Sequence, residues 1–166
     1  MEMNWLAIIV AALVPTIVGF VWYHPKVFGN AWMKAANMTD EMVKGGNMAV
    51  IFGVSLLLSV MLAIFSTSLS IHQMHLGSLL MNEPGFGDPG SEVGMLMADL
   101  MGKYGNNFRT FGHGVVHGII TGLFFVLPVL GTNAMFERKG FKYIAVNVGY
   151  WILTLALMCG IVCGWV

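Results

Sequence analysis

Residues 110–136 read TFGHGVVHGIITGLFFVLPVLGTNAMF. Twenty-seven residues pass without an Asp, Glu, Lys or Arg. A helix needs about 20 apolar residues to cross the hydrocarbon core of a bilayer. The stretch therefore predicts a membrane span, about 110–130, with Pro128 near its end. Three more charge-free stretches flank it: Met3–Tyr23, Gly45–Asn82 and Tyr143–Val166, of 21, 38 and 24 residues. The chain's 16 charges are confined between them: Glu2 alone, five in 26–44, six in 83–109 and four in 137–142. Only 10% of the 166 residues are charged and 57% are hydrophobic, against about 25% charged in a soluble domain. That composition excludes a soluble enzyme, a nucleic-acid binder and a disordered chain. A net charge of zero leaves no basic footprint for nucleic acid. The expected fold is all-α: one polytopic membrane four-helix bundle over 1–166, with spans about 4–23, 48–71, 110–130 and 143–166.

The first span carries no Lys or Arg ahead of it, only Glu2, and no A-x-A-type site after it. It reads as a retained helix and not as a signal peptide. Pro15 is expected to kink it. Its exit, Trp22-Tyr23-His24-Pro25, is an aromatic interface anchor followed by a helix stop. Segment 26–38, with Phe28, Trp32 and Met33 among lysines, reads as an amphipathic piece in the interface. Trp32 and Trp165 are further anchors. Thr39, followed by Asp40 and Glu41, marks a helix start. In the second span, serines 55, 59, 66 and 70 repeat near helical spacing, and such stripes face other helices. The only long connection, about 72–109, opens with an irregular Gly- and Pro-rich part at Asn82–Gly90. Then Val93, Leu96, Met97, Leu100, Met101 and Tyr104 fall at i, i+3, i+4, i+7, i+8 and i+11 behind Ser91, a candidate N-cap. That is one amphipathic helix lying on the bilayer or on the bundle. The third and fourth spans, joined by a short connection, should form a hairpin. Six Lys/Arg fall on the side of loops 24–46 and 133–142, and two on the other. The positive-inside rule then places both termini and the 72–109 connection outside a cytoplasmic membrane.

Gly114, Gly118 and Gly122, spaced by four, form a glycine-zipper face, and Gly160 and Gly164 offer its counterpart on the fourth span. These are helix-packing surfaces, within one subunit or between subunits. His113 and His117 share one face of the third span, and Thr121 continues the row. The opposite face, with Val115, Ile119, Leu123 and Val126, suits lipid. Cys163 and Cys159 sit at matching depths on the fourth span. His113 and His117 are expected first as hydrogen-bonding residues between helices. As an alternative, if those faces meet, two imidazoles and two thiols make a ligand set for a soft or borderline metal. His72 and His75 emerge at the same end of the second span but do not fall on its serine face, which argues against their sharing an inward site. On the other side of the membrane, Glu137 is the acid nearest a span end, placed to pair with Lys26 or Arg138 or to accept from Tyr23 or Tyr150. Asn147 and Tyr150, one turn apart, are expected to be polar glue between helices. The sequence holds no nucleophile with a nearby base, phosphate loop, H-E-x-x-H or buried carboxylate pair. No enzyme activity and no resident cofactor are expected.

Several short motifs, taken in order, carry a resemblance. They are Asn4-Trp5-Leu6-Ala7, Gly19-x-x-Trp22-Tyr23-x-Pro25, Phe28-Gly29-x-x-Trp32, His117-Gly118, Pro128, Phe136-Glu137 and Asn147-x-Gly149-Tyr150. The chain resembles the bacterial and fungal domain-of-unknown-function family 1761. The resemblance implies a small four-span membrane protein, supplies no activity, and draws attention to Trp22, Tyr23, Pro25, Glu137, Asn147, Tyr150 and His117. The 76–106 stretch carries no matching motif.

The function expected from these readings is structural or accessory. The protein would pack as a homo-oligomer, or within a larger membrane assembly, through its glycine faces. One alternative is a small-molecule or ion carrier with a site between the third and fourth spans around His113 and His117. Another is a metal-handling protein using those histidines with Cys159 and Cys163.

Overall fold

A computed structural model describes residues 3–166 of the chain; Glu2, the lone acid before the first span, lies outside them. Four helices are long and apolar enough to cross a membrane: Trp5–Trp22, Met48–Ser70, Phe111–Phe136 and Phe141–Gly164. The described residues contain no strand. The all-α bundle is therefore present, with α1 at Trp5–Trp22, α4 at Met48–Ser70 and α9 at Phe141–Gly164. The third span is composite: α7 at Phe111–Thr121, a π turn at Gly122–Val126 and α8 at Leu127–Phe136. Short helices fill the connections, with α2 at Asn30–Ala36, α3 at Asp40–Lys44, α5 at Gln73–Leu80 and α6 at Glu92–Tyr104.

Helix starts follow local chemistry. Asn4, Thr39, Asn47, Ser91 and Thr110 each accept a backbone N–H of the first turn through a side-chain oxygen. These contacts satisfy donors that a helix N-terminus otherwise leaves orphaned. Ser91 is the cap anticipated for α6. Asn4 also donates through Nδ2 to the carbonyl of Trp165 at 3.3 Å, so the two chain ends meet at one end of the bundle.

The core sits around α9, the most buried of the four spans, while α4 is the least buried. Helix α9 packs against α1, α4 and α7 and continues onto α8, so the third and fourth spans do form the hairpin. The serine stripe of α4 points inward as expected at Ser59, Ser66 and Ser70, with Ala63 between them. Each of those hydroxyls donates to the carbonyl four residues back. A hydroxyl facing another helix in lipid thereby keeps its hydrogen bond. Ser55, at the far end of the stripe, is exposed.

One expectation for the spans needs correction. The third span does not finish near Pro128 but continues to Phe136. The π turn explains this. Its wider loop lets Leu127 N–H reach back to Gly122, so the helix is already re-registered when the proline, lacking an N–H, arrives. In the long connection Asn82–Gly90 is irregular as expected, and a short helix, α5, precedes it. Helix α5 begins almost directly after α4, because Ile71 turns extended at φ −107°, ψ 97°.

Candidate functional site

That extended residue builds the site. Were α4 to continue, His72 would project away from its serine face. The break at Ile71 releases His72 from the helical register and swings it over the start of α7. There its Nε2 lies 2.9 Å from His113 Nε2, and His113 Nε2 lies 3.0 Å from His117 Nε2. One ring nitrogen from each of the three histidines falls within 4.8 Å of the others. The argument that His72 would stand apart from His113 and His117 is overturned, and the cause is the end of the helix.

The rings are mutually inclined. Interplanar angles are 59°, 68° and 65°, with centroids 4.6–5.0 Å apart. Three tilted imidazoles converging through Nε2 form a tripod. His72 is exposed while His113 and His117 are half-buried, so the tripod opens at the end of the bundle that carries both termini. Phe108 closes one side, its ring 5.8 Å from that of His72 and 5.1 Å from that of His113. Phe108 reaches this position with φ +61°, a left-handed conformation that is unusual for a bulky side chain. Thr121, next in the row, donates to the His117 carbonyl at 2.8 Å and adds no side chain to the cluster.

The two cysteines do not join it. Cys163 Sγ donates toward the carbonyls of Ser70 and Phe108, each at 3.3 Å. Cys159 is fully buried, and both thiols are free. They lie against the glycine face of α7 and not its histidine face. A Cβ at Gly114 would overlap the Cys159 carbonyl and meet Cys163 Cβ at 2.8 Å. The mixed set His113, His117, Cys159 and Cys163 is thus replaced by three imidazoles, because adjacent faces of α7 serve different neighbours. His75 stands apart too, its Nε2 3.0 Å from the Ser68 carbonyl.

The glycine rows are spent inside the chain. Gly118 lies against the Leu155 carbonyl and Ala156 nitrogen, and Gly122 lies against Ile152. On the facing helix, Gly160 and Gly164 receive Phe111, whose ring would stand 2.7 Å from a Cβ at Gly160.

At the opposite end the anticipated polar glue is real, with a different set of partners. Tyr23 OH donates to Asn147 Oδ1 at 3.0 Å, Trp22 Nε1 to the Val146 carbonyl at 3.0 Å and Tyr150 OH to the Pro15 carbonyl at 2.8 Å. Trp32 stands edge-on to Tyr23 with centroids 5.4 Å apart. Glu137 takes no part. It is exposed, and no cation approaches its carboxylate within 4.0 Å among the described residues. Tyr23 and Tyr150, the two tyrosines expected to serve it, donate elsewhere. Because Pro15 sits inside a helix and Tyr150 is buried, Tyr150→Phe leaves a buried hydrogen-bond arrangement incomplete. We expect a loss of about 1 kcal/mol, read as a thermal midpoint lower by about 2–4 °C.

A family model described as "protein of unknown function (DUF1761)" matches residues 6–163, nearly the whole chain. The chain belongs to that family. No curated protein and no solved structure matches it. The DUF1761 match spans all four membrane helices, the histidine tripod and the aromatic network. The short motifs that carried the resemblance also have structural reasons. Gly29 leaves no room for a Cβ against the Tyr23 carbonyl, and Gly149 receives the Trp22 ring, 2.9 Å from where a Cβ would be. His117-Gly118 puts one tripod imidazole beside a backbone-to-backbone contact between α7 and α9. His72 and Gln73, by contrast, carried no local signal, since their positions depend on where α4 stops.

Proposed function

We propose that this protein is a metal-binding membrane protein that holds a divalent first-row transition ion on His72, His113 and His117. The observation that supports this reading is the convergence of three Nε2 atoms. An imidazole nitrogen has one in-plane site, either a proton or a lone pair. His113 Nε2, at 2.9 and 3.0 Å from two other ring nitrogens, cannot make two good hydrogen bonds with it. A cation shared by three lone pairs satisfies all three. Zinc–imidazole bonds of about 2.0–2.1 Å in tetrahedral geometry put ligand nitrogens about 3.3 Å apart, so His113 needs to part from each neighbour by only a few tenths of an ångström, and the His72 and His117 nitrogens already lie within 4.8 Å.

The ligand set selects a borderline ion such as Zn²⁺ or Cu²⁺ over Mg²⁺ or Ca²⁺, which prefer oxygen. Three ligands leave a fourth position open. A structural zinc site is closed by four, so this one suits capture and exchange of an ion. The exposed His72 provides the access. The charge rule read from the loops would place that opening outside the cytoplasm.

The accessory reading draws less support. Its glycine faces are occupied by α9 and Phe111 of the same chain, and an oligomer would need another surface.

The test is direct. Protein purified with a chelator and returned to zinc should bind one ion per chain. At a free-ion concentration 100 times Kd its thermal midpoint should rise by about 5–10 °C. Substoichiometric zinc with no thermal shift would end the proposal.

A further inference from the structure

A second feature lies at the same end of the bundle and does not use the tripod. A cavity of about 510 Å³ opens between α5, α6, the start of α1 and the last turns of α9. That volume falls within the range of small-ligand sites. Much of the wall is apolar and adaptable, with Met3, Met74, Met97 and Met101 among its residues. Five polar side chains break that wall. Asn4 is bonded to Trp165 and Ala7, Thr67 donates to the Ile64 carbonyl, and the Asp88 carboxylate accepts from Gly90 N–H; the other two keep groups free for a ligand.

Gln73 is one. It is 7% exposed, and its Nε2 donates to the carbonyls of Tyr104 and Asn107 at 2.9 and 2.8 Å. Both amide hydrogens are thus committed, and the side chain is fixed. Its Oε1 is buried and has no partner among the described residues. A buried acceptor on a cavity wall calls for a donor from outside the chain.

Arg109 is the other. Its Nε donates to the Cys163 carbonyl at 2.9 Å and its Nη2 to the Trp165 carbonyl at 3.4 Å. Those bonds pin the guanidinium at the end of α9, while the hydrogens on Nη1 take no partner among the described residues. Guanidinium donors fit an anionic oxygen group.

We infer that this cavity binds an anionic amphiphile that carries a hydroxyl group. The anionic oxygens meet Arg109, the hydroxyl donates to Gln73 Oε1, and the apolar body lies among the methionines. A membrane lipid with a hydroxylated, negatively charged headgroup has all three parts, and the bilayer supplies it at this end of the bundle. A free headgroup lacks the part that the apolar wall requires.

The experiment uses the full chain in a neutral detergent with EDTA present, so that metal at the imidazoles plays no part. Three probes are compared by thermal shift: dihexanoyl phosphatidylglycerol, dihexanoyl phosphatidylcholine and glycerol 3-phosphate. The first carries anion, hydroxyl and chains; the second lacks the hydroxyl and has no net charge; the third lacks the chains. We expect a saturable rise of about 3 °C or more with the first alone. Ala98→Trp fills the cavity from an exposed position on α6 without removing a hydrogen bond. It should weaken the response at least about tenfold, as should Arg109→Gln. Equal shifts from phosphatidylglycerol and phosphatidylcholine would overturn the inference. So would a response that survives Ala98→Trp, a full response to glycerol 3-phosphate, or no response to any probe.

Discussion

Gly118→Val should abolish the native bundle or bring it close to unfolding. At this position the third and fourth spans touch backbone to backbone. A Cβ would overlap the Leu155 carbonyl and the Ala156 nitrogen, and neither is the free end of a side chain that can swing aside. The two helices must separate, and separation strips contacts from the neighbouring Gly114 and Gly122 as well. Overpacking in a core costs about 1–3 kcal/mol, and more where the obstacle is main chain. Membrane helices gain their association from this close packing and not from a hydrophobic effect, so the loss has little to offset it. We expect a destabilisation of at least about 3 kcal/mol, seen as a thermal midpoint about 6–12 °C lower or as failure to recover folded protein. Gly112→Ala is the matched control. It lies in the same helix, and a Cβ there meets nothing within 4 Å. Alanine favours the helix over glycine by about 1 kcal/mol, so this variant should be as stable as the parent or slightly more so. Equal tolerance of both changes would contradict the packing described for α7 and α9.

Reading that glycine face from sequence was possible because helical periodicity is local. Gly114, Gly118 and Gly122 must share a face wherever the helix lies, and so must His113 and His117. The same logic placed Ser59, Ser66 and Ser70 inward and Ser91 at a helix start. Charge distribution located the spans because an unpaired charge in hydrocarbon is expensive. What stayed hidden depended on where helices stop. Pro128 signalled an end, yet the π turn before it had already altered the hydrogen-bond register. The second span is expected to end at about 71 and ends at Ser70, but nothing in the sequence marks the extended turn at Ile71 that brings His72 onto the tripod and begins α5 with Gln73. A spacing argument across residues 70–72 assumes an unbroken helix, and here that assumption fails. The choice of partner face was hidden as well. Cys159 and Cys163 share the depth of the histidines, but depth does not say which face of α7 they meet. The glycines take them, and the imidazoles turn to the α4–α5 corner. Glu137 shows the converse: an acid at a span end looked useful, but its neighbours had nearer acceptors in Asn147 and the Pro15 carbonyl.

His113→Ala should remove zinc binding, with an affinity loss of at least about 100-fold, or 2.7 kcal/mol. His113 is the middle member of the tripod; its Nε2 is the atom within 3.0 Å of both other rings. Without it, His72 and His117 leave two ligands, too few for a tetrahedral site of useful affinity. His72→Ala and His117→Ala should each weaken binding severely for the same reason. The neighbours sort the readings. His75→Ala removes an imidazole bonded to the Ser68 carbonyl and should leave zinc affinity within about twofold. Cys159→Ser and Cys163→Ser should do the same, whereas a site built from histidines and thiols together would lose its metal with either. Acid gives an independent axis. Each ligand must be a neutral imidazole, so protons compete with the ion and apparent affinity falls as the pH is lowered. Cu²⁺ should bind more tightly than Zn²⁺, following the general order for nitrogen ligands. A purely structural cluster of hydrogen-bonded imidazoles makes the opposite set of statements. His113→Ala would then lower stability in EDTA without touching any metal content, and calorimetry with zinc would be flat before and after the substitution. Calorimetric titration of the chelator-treated parent and His113→Ala, in parallel, separates the two.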